Sequence, residues 1–355
     1  MDRVSIGIVG AGSMGRKHAE LVRGHAGCSL VGIVDVDAGR REVAAAAGVP
    51  FYNTPEELLD RERPAGMIIA TPNAEHAAAA EACAVRAVHM LVEKPLADTL
   101  SEAKRIVAVA ERHGARVLVG HHRRHSPLIR KAREVVHGGG LGKLLGVSVL
   151  WTLLKPADYF DVAWRRERHV GGPLLINLVH ELDSLRFICG EIREVHARAT
   201  AAARGLDVED SLAISIQFES GALGTVLASD ATPAAWSYEA TVGENPLYFR
   251  TAENCYHFFG TDASLTFPRM ELWRYADASR AGWQHPLERT RLDVVPDDPL
   301  PRQLEHFCRV VRGEEQPVLD AADATRSLAV ALAVQHSAIS GQAVDPARLL
   351  AGDGG

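Results

Sequence analysis

The sequence predicts two units of different class: an α/β unit on a doubly wound parallel sheet, then an α+β unit with an open, mostly antiparallel sheet. Three observations carry this. The chain has 355 residues, more than one ordinary hydrophobic core accommodates. From residue 1 to about 122, short runs that are apolar throughout alternate with helical stretches, the rhythm of a parallel sheet covered on both faces. Beyond that point strand-like runs follow one another with few helices between them, as in an antiparallel or mixed sheet. The predicted boundaries are 1–122 and 123–355.

Composition narrows the function classes. Apolar residues make up 47% and charged residues 24%, the balance of an ordinary globular protein. With 39 basic against 45 acidic side chains the net charge is -6, so nucleic acid is not an expected partner. Five cysteines stand far apart with no CxxC pair, which points to free thiols in a reducing compartment and no thiolate metal site. The opening "MDRVSIGIVGAG" lacks the pattern of a signal peptide, and no 18-residue apolar run occurs, so a cytoplasmic protein without a membrane partner is expected.

The first strand, "VSIGIVG", runs directly into "AGSMGRKHAELVRG". Gly10, Gly12 and Gly15 stand in GxGxxG register, with Ser13 and Met14 between the last two. The first glycine permits the tight turn, the second lets backbone approach a diphosphate, and the third lets helix pack on strand. The diphosphate then meets free N–H groups at the positive helix end. The second strand, "LVGIVD", ends at Asp35, twenty residues after Gly15. A carboxylate there accepts hydrogen bonds from the ribose hydroxyls and repels a 2′-phosphate, so NAD is expected; Arg40 and Arg41 keep NADP open as a second cofactor. Helical "AGRREVAAAAG", "AEHAAAAEACAVRA" and "TLSEAKRIVAVAERHG" alternate with strands "GMIIATP", "HMLVEKP" and "RVLVG" to complete the unit.

The second unit begins with a helix in "PLIRKAREVVHGG" and a strand in "LLGVSVLW". A helix at about 173–189 follows, then strands in "VHARATAAA", "DSLAISIQFE", "ALGTVLAS", "ASLTFP" and "MELWRY", and helices near 300–312 and 320–340.

The stretches "IIATPNAEH", "HMLVEKPLA" and "GGPLLINLVHELD", in this order after the glycine motif, resemble the glucose-fructose oxidoreductase, inositol dehydrogenase and MocA family. "GENPLYF", "GTDASLTFP" and "RQLEHFCRVVRGEEQPV" extend the resemblance over nearly the whole chain. It implies a Rossmann domain and an open-sheet domain with substrate bound between them, in a homodimer or homotetramer formed through the C-terminal sheet. The EKP tripeptide, Glu93, Lys94 and Pro95, is its most specific mark. The family's central lysine corresponds to Lys94, and the Lys94–Pro95 bond is expected to be cis. A lysine at the C-terminal edge of a parallel strand stands where such sheets bind ligands, and partial burial lowers its pKa. Thr71, Pro72, Asn73 and His76 are expected beside the nicotinamide, with packing as the alternative for His76. His122 and Arg123, in "GHHRRHSP", are expected at cofactor or substrate; a metal on His121, His122 and His125 is the weaker reading.

In "GGPLLINLVHELD" a regular helix places Asn177, His180 and Asp183 on one face. His180 is the expected proton acceptor from a secondary alcohol, Lys94 its orienting donor, and Asp183 a partner to His180 or substrate. The family usually carries an aspartate four residues before this histidine; here Ile176 occupies that place and Asn177 follows. Lys155, Tyr159, Trp164 and Arg165 combine aromatic faces with cationic donors that suit a polyhydroxylated ring, with Trp236 and Tyr238 as a further wall. The expected activity is hydride transfer between nicotinamide and a sugar, cyclic polyol or sugar acid. A carboxylated cyclic diol or hydroxy acid, an NAD-assisted glycosidase and a non-catalytic NAD-binding sensor are the alternatives.

Overall fold

The computed structural model describes residues 3–168 and 170–352. The chain forms two compact units: residues up to 122 with 299–328, and residues 123–298 with those from 329 onward. The sequence reading assigns everything beyond 122 to the second unit. The segment 299–328 departs from that: the helix Pro299–Arg312 turns Leu304, Phe307 and Cys308 into the core of the first unit, beside Ile6, Ile8 and Ile33. Gly66 makes room for it, because a side chain there would begin 2.9 Å from the Phe307 ring.

The first unit runs β1 (Val4–Val9), α1 (Ser13–Gly24), β2 (Cys28–Val34), α2 (Arg41–Ala47), β3 (Phe51–Tyr52), α3 (Pro55–Glu62), β4 (Gly66–Ile69), α4 (His76–Ala84), β5 (His89–Val92), α5 (Leu100–His113) and β6 (Val117–Val119). Its parallel sheet has the order β3-β2-β1-β4-β5-β6, so the direction of winding reverses between β1 and β4. Ligands of such sheets bind beyond the carboxyl ends of the strands near that switch. Gly10, Asp35, Ala70 and Glu93 each follow the end of a strand there. Thr54 and Thr99 accept from the N–H groups of Glu57 and Glu102, capping α3 and α5. The sequence reading passes over β3 and α3; a two-residue strand and a short helix carry too few apolar repeats to register.

The second unit contains α6 (Pro127–His137), β7 (Leu144–Thr152), α7 (Val179–Cys189), β8 (Ile192–Thr200), β9 (Ser211–Phe218), β10 (Leu223–Ser229), α8 (Tyr238–Val242), β11 (Tyr256–Gly260), β12 (Ala263–Phe267), β13 (Glu271–Arg274) and β14 (Glu288–Arg291). Its sheet has the order β14-β13-β12-β11-β7-β10-β9-β8; β7 and β10 pair in parallel and the other neighbours antiparallel. Val147, Val149, Trp151, Ile214, Ile216 and Val226 pack from one face of it with Leu178, Leu182 and Leu185 of the α7 region. The alternating burial of β9 and β10 leaves the other face to Ala213, Ser215, Leu223, Thr225 and Leu227. Strands β11 and β14 were not anticipated. Among the described residues no helix is long and apolar enough to cross a membrane.

Glycine positions 12 and 15 make opposite demands. A Cβ at Gly15 would lie 1.8 Å from the Gly10 carbonyl oxygen, backbone against backbone, whereas one at Gly12 meets nothing within 4 Å. Gly15→Ala is expected to destabilise by about 1–3 kcal/mol or more, and Gly12→Ala by less, about 0.5–1 kcal/mol, for the loss of a favoured N-cap residue, read as the shift in urea midpoint.

Candidate functional site

The first group of site residues lies at the carboxyl ends of the parallel strands. Gly10 adopts φ 92°, and a side chain on it would start 2.5 Å from the Ala70 oxygen and 2.8 Å from the Thr71 nitrogen. Only glycine lets the ends of β1 and β4 approach this closely. Helix α1 starts at Gly12 without a side-chain cap or an acidic residue in its first turn. Its first N–H groups therefore keep their capacity for an anion, next to exposed Ser13 and Met14 and the open space over Gly12. Asp35 accepts from Ala11 N–H at 2.7 Å and from Asp37 N–H at 2.8 Å, which fixes the carboxylate at the tip of β2. The arginines that kept NADP open have neighbours of their own: Arg40 pairs with Asp37 at 3.5 Å, and Arg41 lies 4.8 Å over the Phe51 ring. An uncapped helix, an unobstructed glycine and a fixed carboxylate suit a dinucleotide with a free ribose diol.

Beside these residues, Glu93 and His76 are held in the interior, and for His76 this is the packing alternative. Glu93 is 7% exposed and accepts at 2.7 Å from Nε2 of His18, a buried residue of α1. Its second oxygen accepts from the Lys94 N–H at 3.2 Å. Burial alone would raise the Glu93 pKa, but the His18 hydrogen bond and the charges of His18, Lys94 and His122 bring it down to about 2. His76 is completely buried. Its Nε2 faces the Thr71 carbonyl at 3.0 Å, and its Nδ1 faces those of Pro95 and Leu96 at 3.1 and 3.2 Å. The ring thus ties the "TPN" turn, with exposed Pro72 and half-buried Asn73, to the segment after Lys94. Burial lowers its pKa, and a neutral imidazole donates to one of the two sides. Half-buried Lys94 stands between these anchors in sequence, before a cis bond to Pro95.

In the second unit the helix at 173–189 is not regular. Residues Leu174–Leu178 form a π-turn, and the α-helix starts at Val179. Two glycines prepare this entry: a side chain on Gly171 would strike the Arg165 carbonyl at 2.5 Å, and one on Gly172, at φ 77°, the Glu209 carboxylate. Glu209 accepts from the Leu174 N–H at 2.9 Å. The wide turn ends just before His180, so Asn177 lies within it while His180 and Asp183, three residues apart, lie in the regular helix. Asp183 forms a two-pronged ion pair with Arg124, at 2.7 and 3.0 Å, with both side chains buried. This pair anchors α7. His180 is buried at 8% exposure.

Arg123 also departs from its expected role. It is 3% exposed, pairs with Glu181 at 2.5 Å and Glu239 at 2.8 Å, and lies 3.7 Å over the ring of Tyr238. Burial pushes the Glu181 carboxyl up to about 7 despite Arg123 beside it, and Tyr256 donates its hydroxyl to the second Glu181 oxygen. Tyr238, read from sequence as a substrate wall, is therefore the buried floor of an ion cluster.

Lys155, Tyr159 and Asn177 do come together. The Lys155 ammonium donates to Asn177 Oδ1 at 2.8 Å, lies 3.2 Å from Asp230 and stands 4.6 Å over the Tyr159 ring. Asp230 also receives Arg204. Burial lowers the Lys155 pKa while Asp230 opposes the shift. With three donors and two such partners, the ammonium retains one donor for a ligand. Arg165 stacks 4.0 Å over Tyr159 and donates to its carbonyl at 2.9 Å, whereas Trp164 is 45% exposed and Trp236 is 42% exposed. A cavity of about 610 Å³ lined by Arg250, Arg269 and Arg291 involves none of these residues. Sequence reasoning missed His18, Glu239, Arg204 and Asp230, whose partners are too distant along the chain for any local pattern to show.

Comparison with known proteins places both units in one family. The family model described as "Oxidoreductase family, NAD-binding Rossmann fold" matches residues 4–121, and the model "GFO/IDH/MocA C-terminal domain" matches residues 129–266. The rhizopine catabolism protein MocA of Rhizobium meliloti is 27% identical over 93% of this chain and 94% of its own. The scyllo-inositol 2-dehydrogenase (NAD(+)) of Bacillus subtilis is 26% identical over 96% of each chain. The crystal structure of an oxidoreductase from Agrobacterium radiobacter, in complex with NAD+, L-tartaric acid and magnesium, superposes with a TM-score of 0.82 at 20% identity, covering 98% of this chain and 99% of that one.

The depressed Glu93 pKa has a definite sign in stability. A carboxylate whose folded pKa lies below its unfolded value stabilises the fold above the unfolded value, and that contribution is lost as pH falls. From the usual 4.5 down to about 2 the loss amounts to about 3 kcal/mol. Glu93→Gln is expected to be less stable at pH 7 and to lack this component of acid sensitivity between pH 5 and 2, as measured by urea unfolding across that range.

Proposed function

The chain belongs to the glucose-fructose oxidoreductase, inositol dehydrogenase and MocA family of NAD(P)-dependent oxidoreductases, and we propose that it oxidises a secondary alcohol of a cyclic polyol, sugar or sugar acid. NAD, when bound, supplies the hydride-accepting chemistry at its nicotinamide. The uncapped start of α1 and the fixed Asp35 carboxylate hold its diphosphate and adenosine ribose, and Asp35 favours NAD over NADP.

The alcohol proton is the task left to side chains. We assign Lys94 to the reacting oxygen, where an ammonium stabilises developing alkoxide charge, and His180 to the proton, which an imidazole accepts near neutrality. Thr71 and Asn73 belong to the nicotinamide end of the cofactor, and His122 contributes positive potential at Glu93. The Lys155–Asn177–Asp230 cluster is the observation that carries the substrate class: a desolvated ammonium with a remaining donor, an amide and the face of Tyr159 suit neighbouring ring hydroxyls. The relative named as an inositol dehydrogenase acts on such a ring. The ammonium equally favours a carboxylate-bearing ring or hydroxy acid as the second reading.

The proposed assembly is a homodimer or homotetramer formed through the exposed face of the second unit's sheet. Leu223, Leu227 and Phe259 lie there at 60%, 51% and 44% exposure, an apolar surface that self-association would cover.

In a screen of inositols, aldoses, aldonates and quinate-like acids followed by NADH absorbance, at least one class is expected to turn over. With that substrate, Lys94→Ala and His180→Ala should each lower kcat by about 10²–10⁴ while NAD affinity changes little; near-normal turnover removes the residue from the mechanism. Glycoside cleavage without net NADH identifies the glycosidase alternative instead. Leu227→Asp combined with Phe259→Asp is expected to give a monomer by sedimentation, and an unchanged oligomer places the interface elsewhere.

A further inference from the structure

Three side chains from distant parts of the sequence meet in the first unit where β2 begins. His25 follows α1, Cys28 opens β2, and Cys308 lies on the helix Pro299–Arg312. One donor atom from each, an imidazole nitrogen and two thiol sulfurs, lie within 4.8 Å of one another. Cys28 Sγ and His25 Nδ1 are 3.6 Å apart. With Zn–S of about 2.3 Å and Zn–N of about 2.0 Å, the S···N edge of a tetrahedral zinc site is about 3.6 Å. The spacing is that of two ligands on one ion.

We propose that His25, Cys28 and Cys308 form a binding site for a thiophilic divalent cation of the zinc class, with the fourth position open to water. Two sulfurs and one imidazole form a soft donor set, of the kind that selects zinc over calcium or magnesium. Two thiolates and a neutral imidazole carry a charge that a divalent ion cancels, so binding releases two protons and leaves no net charge in the core. Positive charge stands beside Cys28: Arg3 donates to its carbonyl at 2.7 Å, and Arg312 to the Gly27 carbonyl at 2.9 Å. The absence of a side chain at residue 27 matters as well. A Cβ on Gly27 would stand 3.0 Å from His25 Cε1 and 3.3 Å from Nδ1, crowding the ring.

Coordination replaces modest contacts, namely the Gly27 N–H on His25 Nδ1 at 3.1 Å and the Cys28 thiol on the Val22 carbonyl at 3.7 Å. Both cysteines are buried, while His25 is half-exposed and provides the route of entry. Cys28 and Asp35 lie at opposite ends of β2, roughly 20 Å apart along a strand of this length. The ion therefore acts as a clamp between sheet and C-terminal helix, away from the cofactor residues.

The test uses the full chain, reduced and stripped with chelator, then titrated with Co²⁺. One equivalent is expected to give thiolate-to-cobalt charge transfer and the strong visible absorption of a tetrahedral site, both removed by excess Zn²⁺. Cys308→Ser should weaken Co²⁺ binding at least tenfold, and His25→Cys should keep it with added charge-transfer intensity. Cys83→Ser, a buried thiol of the same unit outside the cluster, should leave it unchanged. Zn²⁺ should also protect Cys28 and Cys308 of the wild-type chain from alkylation, read by mass spectrometry, so the outcome does not depend on a variant folding. A folded wild-type chain with no tetrahedral cobalt spectrum, or Zn²⁺ that protects neither cysteine, overturns the proposal. So does a spectrum unaltered in a Cys308→Ser chain that still binds NAD.

Discussion

A carboxylate removed from water loses several kcal/mol of solvation unless charged or hydrogen-bonding neighbours replace it. Glu93 meets that requirement through His18, and the bond joins two elements that must hold fixed positions for the first unit to work. His18 sits on α1, whose amino end carries no side-chain cap, and Glu93 follows β5 immediately before Lys94. Gly120 completes the enclosure, since a side chain there would start 3.0 Å from Glu93 Oε2. His76 performs a related task with carbonyl acceptors, linking the Thr71 turn to Pro95 and Leu96. The backbone on both sides of Lys94 is thereby fixed from the interior.

In the second unit the same physics operates on α7. Arg124 takes both oxygens of Asp183, and Arg123 joins Glu181 to Glu239 over the Tyr238 ring. Such buried pairs add little net stability relative to apolar packing, yet breaking one leaves an uncompensated charge worth about 3–5 kcal/mol. Their effect is to specify one position of the helix. Glu181 and Asp183, one and three residues after His180, are both pinned, so the imidazole is carried by a rigid element.

Much of this was legible in the sequence. Apolar runs alternating with helices gave away the parallel sheet, and the glycine spacing and Asp35 marked the turns at the carboxyl ends of β1 and β2, because both are local patterns with local causes. Asp183 and Arg123 were misplaced for the opposite reason. Their surroundings depend on Arg124, Glu181 and Glu239, the last lying 116 positions from Arg123. His18 reads as one polar residue within an amphipathic helix; only the folded sheet brings β5 against it. The C-terminal helix was assigned to the wrong unit because an apolar face shows that a helix packs and not where.

The distribution of cations follows from the same distinction between holding and reacting. Arg123, Arg124 and Arg204 occupy buried ion pairs. Guanidinium stays charged at any physiological pH and meets carboxylates with a planar fork, which suits permanent anchors. Lysine is scarce in this chain, yet Lys94 follows the buried Glu93 and Lys155 lies at the centre of the Tyr159–Asn177–Asp230 group. An ammonium responds to burial by lowering its pKa, as Lys155 does, and its donors turn freely about the terminal bond. A fixed fork would match one carboxylate geometry, whereas a rotatable donor can follow an alcohol oxygen as its charge develops. In the proposed reaction, arginine holds the structure while Lys94 and Lys155 meet the partner whose bonding changes.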